Sequence, residues 1–221
     1  TIFRPEFFST IMLEPQIRAS NAHAHSRGIE VHALTGAPEL VQRIFHEASY
    51  GLIDAVIDFN SRVSADERFD GVHFDNGPYR LPKWQVPEER RELLHDFLEL
   101  NVESQRRCTE ANLMFGVDIP PWFNSTDARI GQPIGLVTYG EVTKSADLFC
   151  IDLLDEIGFM NYRDTVYGLD SMLYGAEPLF RIRRHRWNDP MPVSSHRRWY
   201  GLRWDSRMPH MKRPCWPVTR T

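Results

Sequence analysis

Three acidic side chains and one tyrosine stand at or near the ends of short apolar segments of the chain. Asp75 ends the segment VHFD, Asp118 lies inside GVDIPPW, and Tyr162 and Asp164 follow GFM. Carboxyl and phenol groups in such positions can transfer protons. An aspartate among apolar neighbours is costly to bury, so Asp118 is a candidate for a functional role. Asp75 precedes Asn-Gly-Pro, and it could equally cap a turn.

Four short apolar segments predict the strands that would position these side chains. Each is bounded by turn or polar residues, and each has the nearly continuous apolar character of a strand buried on both faces. The segments are 28–36, 69–77, 112–122 and 155–164, with starts roughly 41–43 residues apart. Helical patterns lie between them, around 39–64, 87–111 and 139–154. Strands and helices that alternate at this spacing indicate βαβ units and a parallel sheet.

A doubly wound sheet and a (β/α)-barrel both satisfy this pattern. No Gly-rich phosphate loop follows any of the four segments, which weakens the nucleotide-binding version of the doubly wound fold. The polar and aromatic residues instead follow the carboxyl ends of the strands, which form the catalytic face of a barrel. A complete barrel takes about 250 residues. We therefore expect an α/β fold that is a partial or degraded (β/α)8 TIM barrel with about four to six strand–helix units.

The strand ends resemble those of the chitinase-like TIM-barrel glycoside hydrolases. The family motif D-G-x-D-x-D-x-E corresponds to DGVHFDNG at 70–77, and the family motif M-x-Y-D corresponds to MNYRD at 160–164. ALTGA at 33–37 is similar to the family's Ser-x-Gly-Gly turn. Bacterial (β/α)-barrel proteins related to that family typically have FDGIHFDxEPY, where this chain has FDGVHFDNGPY. The resemblance covers roughly residues 15–180.

The resemblance implies hydrolysis of a glycosidic bond in which the acetamido group of the substrate takes part. Asp75 would then orient and stabilise that group, and Tyr162 would hydrogen-bond it. The general acid of the family falls on Gly77, which cannot donate a proton, and general acid catalysis is worth roughly 10²–10⁴-fold. Asp118 and Asp164 are the candidate substitutes, and the apolar neighbours of Asp118 favour it. We expect a glycoside-hydrolase-like barrel with weakened or lost activity; the alternative is a non-catalytic carbohydrate-binding or structural barrel.

Further residues are candidates for contact with a carbohydrate. They are His73, Tyr79, Trp122, Asn161 and Arg163. Aromatic rings can stack on the apolar faces of sugars, but the two aromatic residues could equally close loops. His73 alternates with apolar neighbours and is predicted to point into the barrel, where a core histidine is an equal alternative. Arg163 would lower the pKa of a nearby carboxyl group.

Composition indicates a soluble chain with a packed core. The 221 residues are 42% hydrophobic and 25% charged, and no apolar run reaches the eighteen or so residues of a membrane span. No intact signal peptide is visible, and the sequence does not indicate a particular cellular compartment. Three widely spaced cysteines favour reduced thiols over a disulfide framework. No motif implies a cofactor, and the histidines of HAHSRG (23–28) stand two apart, a spacing that does not predict a metal site.

Charge divides the chain near residue 180. Residues 1–180 carry 15 Lys+Arg against 28 Asp+Glu, whereas residues 181–221 carry 11 against 2 and hold four of the six tryptophans. We predict a partial-barrel domain over 1–180 and an irregular Arg/Trp-rich tail over 181–221 that is disordered or non-native, as when a gene is read out of frame. Interleaved arginines and tryptophans can also bind single-stranded nucleic acid. The abrupt onset favours the first interpretation, so the expected partner is a carbohydrate and not a nucleic acid.

Overall fold

A four-stranded parallel sheet lies at the centre of residues 13–168, the part of the chain that the computed structural model describes. Its strands are β1 (His32–Thr35), β2 (Gly71–Phe74), β3 (Met114–Ile119) and β8 (Glu156–Phe159). Each strand lies inside one of the four predicted segments, and all three neighbouring pairs are parallel. The order in space, β1-β2-β3-β8, is also the order along the chain. The predicted α/β class with a parallel sheet is therefore confirmed.

Four α-helices accompany the strands of the described part. They are α1 (Glu14–His25), α2 (His46–Arg62), α3 (Pro87–Glu110) and α4 (Ala146–Leu153). Helix α3 matches its prediction: Pro87 stands at the first position, acidic residues fill the first turn, and an apolar stripe that includes Leu94 and Phe97 is buried. In the predicted helical region 39–64 the α-helix begins only at His46, as α2. The residues before it form two 3₁₀ turns, Pro38–Val41 and Arg43–Phe45.

The region 139–154 was predicted to be helical, and this prediction is wrong for its first half. Strands β6 (Leu136–Tyr139) and β7 (Val142–Ser145) pair there as an antiparallel hairpin. Gly140 has a φ of +59° in the turn, a left-handed conformation that suits glycine and reverses the chain. A helix can begin only after the hairpin, at Ala146. A smaller antiparallel pair, β4 (Thr126–Asp127) and β5 (Gln132–Pro133), precedes it.

The two faces of the parallel sheet differ in polarity. One face packs against the helices and forms the apolar core, in which the rings of Phe74 and Phe115 meet edge to face at 5.1 Å. Successive side chains of a strand point to opposite faces, so the opposite face carries the alternate residues. Those are polar or glycine at most positions, namely His32, Gly71, His73, Gly116, Asp118, Glu156 and Gly158. Apolar burial on both faces, the basis of the strand predictions, therefore holds for one face only.

Helix α1 is anchored to the amino ends of β1 and β2 by the carboxylate of Asp70. One oxygen of Asp70 accepts hydrogen bonds from the His25 ring at 2.9 Å and from the backbone N–H of Val31 at 2.7 Å. The other ring nitrogen of His25 lies 2.5 Å from the backbone oxygen of Asp66. Asp70 belongs to the stretch that resembles the hydrolase motif, and its role here is structural because it joins three chain segments.

The predicted boundary at residue 180 and the tail 181–221 lie outside the described residues, and so does Cys215. Cys108 and Cys150 are buried free thiols, as the sequence predicted. Over residues 13–168, every helix is too short or too polar to cross a membrane.

Candidate functional site

Three polar side chains on the second face of the sheet lie over glycines of the next strand. His32 covers Gly71, His73 covers Gly116 and Asp118 covers Gly158. A Cβ atom at the glycine would lie 2.8 Å from His32 Cε1, 2.5 Å from His73 Nδ1 or 1.9 Å from Asp118 Oδ1, respectively. These distances are far below van der Waals contact. The glycines therefore leave the space that the imidazole rings and the carboxylate occupy over the neighbouring strands.

Two contacts between histidine and carboxylate groups cross this face. His73 Nε2 lies 3.2 Å from Asp118 Oδ1, and His32 Nδ1 lies 3.2 Å from Glu156 Oε2. Burial, followed by the nearby charge of His73, lowers the pKa of His32. Lower pKa values favour the neutral imidazole at physiological pH.

The contact between His32 and Glu156 shows that the sheet is curled. These residues lie on the two edge strands, β1 and β8, which are three strand spacings apart, or about 14 Å in a flat sheet. That gap exceeds what the two side chains can span together, yet their polar atoms are 3.2 Å apart. The polar face is therefore the concave one.

The concave face borders a cavity of about 550 Å³. Its lining residues are Gly28, Ile29, Glu30, His32, Leu34, His73, Asp118, Glu156, Ile157 and Gly158. Sequence reasoning found His73 and Asp118 in this set and missed His32 and Glu156. The alternation of side chains along a strand is a signal for both. His32 and Glu156 each stand two residues before a residue that lines the cavity, Leu34 or Gly158, and therefore point to the same face of the sheet.

Asp75 stands just beyond the carboxyl end of β2, outside the cavity lining. Its backbone N–H donates to the oxygen of Thr35 at 2.8 Å, which extends the strand pairing by one residue. Its side chain is partly solvent-exposed. Partial burial and then the negative charge of Asp118 raise the pKa of Asp75, while His73 and Arg80 oppose that shift. Asp118 is thus close enough for its charge to act on Asp75, as expected for neighbouring strand ends.

The ring of Tyr79 occupies the space beside Gly77. A Cβ atom at position 77 would lie 2.8–3.0 Å from the ring and hydroxyl atoms of Tyr79. Burial, followed by the charge of Asp75, raises the pKa of the Tyr79 phenol. The position that resembles a general acid therefore lacks a carboxyl group and also lacks the room for one while Tyr79 keeps this conformation.

Tyr79 belongs to an aromatic cluster. Its ring meets Trp122 at a centroid distance of 5.1 Å and Trp84 at 6.4 Å, both edge to face. Trp84 also stacks on Phe123 at 5.8 Å. Trp84 is 6% exposed, whereas Trp122 is only partly buried. Sequence reasoning singled out Tyr79 and Trp122 and missed Trp84, which stands five residues after Tyr79 in a 3₁₀ turn, Pro82–Gln85.

The residues after β8 stand apart from the cavity. Tyr162 is 81% exposed, and Arg163 and Asp164 are also exposed. The guanidinium group of Arg163 donates to the backbone oxygen of Tyr162 at 3.2 Å. Asn161 is half-buried. None of these four side chains lines the cavity, and their roles in catalysis or substrate binding stay predictions.

Comparison with known proteins gives low similarity throughout. No protein family model matches the chain, and no curated protein matches it. Similar solved structures include a chitinase from Chromobacterium violaceum, at 15% identity and a TM-score of 0.44, with 72% of this chain and 49% of that one covered. They also include the second catalytic domain of a Group II chitinase from Ostrinia furnacalis, at 13% identity and a TM-score of 0.41, with 76% and 46% covered. The chain thus spans about half the length of either chitinase.

Proposed function

We propose that this chain is part of a glycoside-hydrolase-like (β/α)-barrel that binds a carbohydrate at the carboxyl ends of its strands. Two features of the sheet support the barrel. The strands follow one another in chain order, and parallel crossovers are right-handed, so the connecting helices fall on one face. The contact between His32 and Glu156 requires a sheet curled toward the other face. A doubly wound sheet would instead reverse its strand order and cover both faces.

One observation carries the proposal for a carbohydrate ligand. Asp75 follows β2, and Asp118 is the second-last residue of the neighbouring strand β3. The ring of Tyr79 lies beside Gly77, two residues after Asp75, and contacts the ring of Trp122. Carboxylates bind sugar hydroxyl groups, and aromatic rings pack on the apolar faces of sugars. The sequence around Asp75 resembles chitinase-like enzymes, so oligosaccharides of N-acetylglucosamine are the first ligands to test.

The surroundings of Gly77 favour binding over turnover. Hydrolysis needs a proton donor for the leaving oxygen, and the place of that donor is filled by the ring of Tyr79. Asp118 is the candidate substitute from the sequence, but its Oδ1 is engaged by the His73 ring at 3.2 Å. We therefore expect a carbohydrate-binding barrel whose hydrolytic activity is weak or lost.

Binding is tested by titration of the full chain with chitooligosaccharides, and tryptophan fluorescence or calorimetry measures the binding. Replacement of the half-buried platform, Trp122→Leu, should weaken binding by about 2–10-fold, since aromatic contacts contribute roughly 0.5–1.5 kcal/mol beyond their buried area. Tyr139→Leu is the matched control, because Tyr139 is also a partly buried aromatic residue packed on the core, and its ring contacts His95 and Phe149 instead of the cluster of Tyr79 and Trp122. Absence of binding to any oligosaccharide by the folded chain would refute the proposal.

The enzyme lineage is tested by restoring the carboxyl group together with the space for it. The double variant Gly77→Glu/Tyr79→Ala should hydrolyse a chromogenic chitooligosaccharide faster than the chain with Tyr79→Ala alone. Gly77→Gln/Tyr79→Ala is the control, because glutamine has nearly the shape of glutamic acid but cannot act as a general acid. Equal rates of hydrolysis for the folded Glu and Gln variants would refute the descent from a hydrolase, and only the proposal of carbohydrate binding would stand.

A further inference from the structure

The strongest unassigned feature is a group of three metal-ligating side chains on the concave face. His32, His73 and Glu156 place one ligand atom each so that all three atoms lie within 4.8 Å of one another. They come from three different strands and are 41 and 83 residues apart in the sequence, which is why no local motif predicted a metal. Two histidines and one glutamate are a donor set typical of zinc sites that keep a position open.

Register brings these side chains together. His73, Gly116 and Glu156 are directly paired across β2, β3 and β8. Because Gly116 has no side chain, the ring of His73 reaches over it toward Glu156, whose Cβ is 3.0 Å from a Cβ placed at Gly116. His32 approaches from β1, with Nδ1 3.2 Å from Glu156 Oε2. That separation is close to the distance between two ligand atoms around a tetrahedral zinc ion.

His73 presents its Nδ1 to the group. Nε2 of His73 lies 3.2 Å from Asp118 Oδ1, so Nδ1 is the ring nitrogen that remains on the side of the proposed metal. Nδ1 is also the ring atom nearest to Gly116, on the side of Glu156. A carboxylate behind a ligating histidine is the usual outer partner in zinc sites, where it fixes the tautomer and the ring orientation.

Burial favours a bound cation at this place. Glu156 is 7% exposed, so its carboxylate is withdrawn from most of the water that would otherwise balance its charge. The adjoining cavity of about 550 Å³ leaves room for water or a small ligand. We propose that His32, His73 and Glu156 bind a divalent transition-metal ion of the zinc type, with Asp118 as the positioning residue for His73.

A second group of potential ligands in the described part provides the control. His95, Asp96 and Glu99 also lie within 4.8 Å of one another, on helix α3. Their carboxylates are already paired with Arg43, which contacts Asp96 at 3.6 Å and also contacts Glu99. A cation at that position would have to displace a guanidinium group, so we expect no tight site there.

The test is a zinc titration of the full chain after removal of metal with a chelator, with a competing chromophoric chelator as the readout. Wild type should bind one zinc ion. His32→Asn or Glu156→Gln should weaken the zinc affinity by at least about 100-fold. Asp118→Asn should weaken it by about 10–100-fold, as expected for an outer partner of a ligand. His95→Asn should have no effect. Cobalt in place of zinc should give the visible absorption of a four-coordinate ion.

Circular dichroism of each variant separates loss of ligands from loss of folding, and Glu156→Gln preserves the shape of the side chain if His32→Asn does not fold. The proposal is overturned if the folded wild type binds no zinc at micromolar concentrations. It is equally overturned if folded Glu156→Gln binds zinc as tightly as wild type, or if His95→Asn abolishes binding.

Discussion

The most direct test of the concave face is the single methyl group added by Gly116→Ala. The new Cβ would lie 2.5 Å from His73 Nδ1, 2.9 Å from His73 Cε1 and 3.0 Å from Glu156 Cβ. The shortest of these is about 0.9 Å inside the lower limit of ordinary van der Waals contact. The ring of His73 cannot simply move toward β8, because Glu156 is on that side.

We therefore expect Gly116→Ala to lower the free energy of unfolding by about 1–3 kcal/mol, the usual cost of an extra methyl group in a packed region. For a chain of this size each kcal/mol lowers Tm by about 2–4 °C. Urea denaturation followed by circular dichroism measures the change.

Gly51→Ala is the matched control, because it adds the same methyl group in helix α2, where a Cβ meets no atom within 4 Å. Gly51 is exposed in the helix interior, so alanine should stabilise the protein by about 0.5–1 kcal/mol. The two substitutions should thus have opposite signs. If Gly116→Ala were neutral or stabilising, the ring of His73 would not lie over Gly116, and the described site geometry would be wrong.

Two further predictions concern the framework around the site. Burial disfavours the charged form of His25, but its hydrogen bonds to Asp70 and Asp66 together have the larger effect and raise its pKa. The stabilisation from these bonds is complete below about pH 6.5, the pKa of histidine in an unfolded chain, and is lost as the pH rises through the folded pKa. His25→Gln should therefore lower Tm more at about pH 5.5 than at about pH 8.5, and an equal loss at both would contradict the charged contact. Asp127→Asn should destabilise the chain more than Arg129→Ala does, because it deprives Arg90, which is 3% exposed, of its carboxylate partner at 2.9 Å. Thermal unfolding of the two variants decides the order.

The strands and the longest helix could be predicted because their signals are local. Apolar runs at regular spacing locate β1, β2, β3 and β8, and Pro87 with its acidic first turn locates the start of α3. Helix α1 carries no such signal: its buried residues are Ile17, Asn21 and Ala24, of which only one is a large apolar residue. The hairpin β6–β7 was mistaken for a helix because its turn depends on the backbone conformation of one residue, Gly140.

The sequence predicts only those parts of the site whose positions follow from the ends of the strands. Asp75 follows β2 and Asp118 lies near the end of the adjacent parallel strand β3, so their closeness follows from the order of the strands. The closeness of His32 and Glu156 depends on the curl of the sheet, and no local pattern encodes the curl. The lack of room for a carboxyl group at position 77 depends on one side-chain conformation, that of Tyr79, which the sequence does not encode locally.

The concave face is unlike the core face because buried polar groups need partners. Imidazole and carboxylate side chains alternate there with glycines, so each polar group lies across a neighbouring strand and finds its partner on another one. The two proposed ligands would then lie at different depths. The proposed sugar contacts, Tyr79 and Trp122, lie beyond the carboxyl ends of the strands, and the proposed metal ligands, His32 and Glu156, lie deeper on the sheet. Trp122→Leu should therefore leave zinc affinity unchanged, and Glu156→Gln should leave oligosaccharide affinity unchanged. Loss of both affinities in either variant would show that the two ligands share one site.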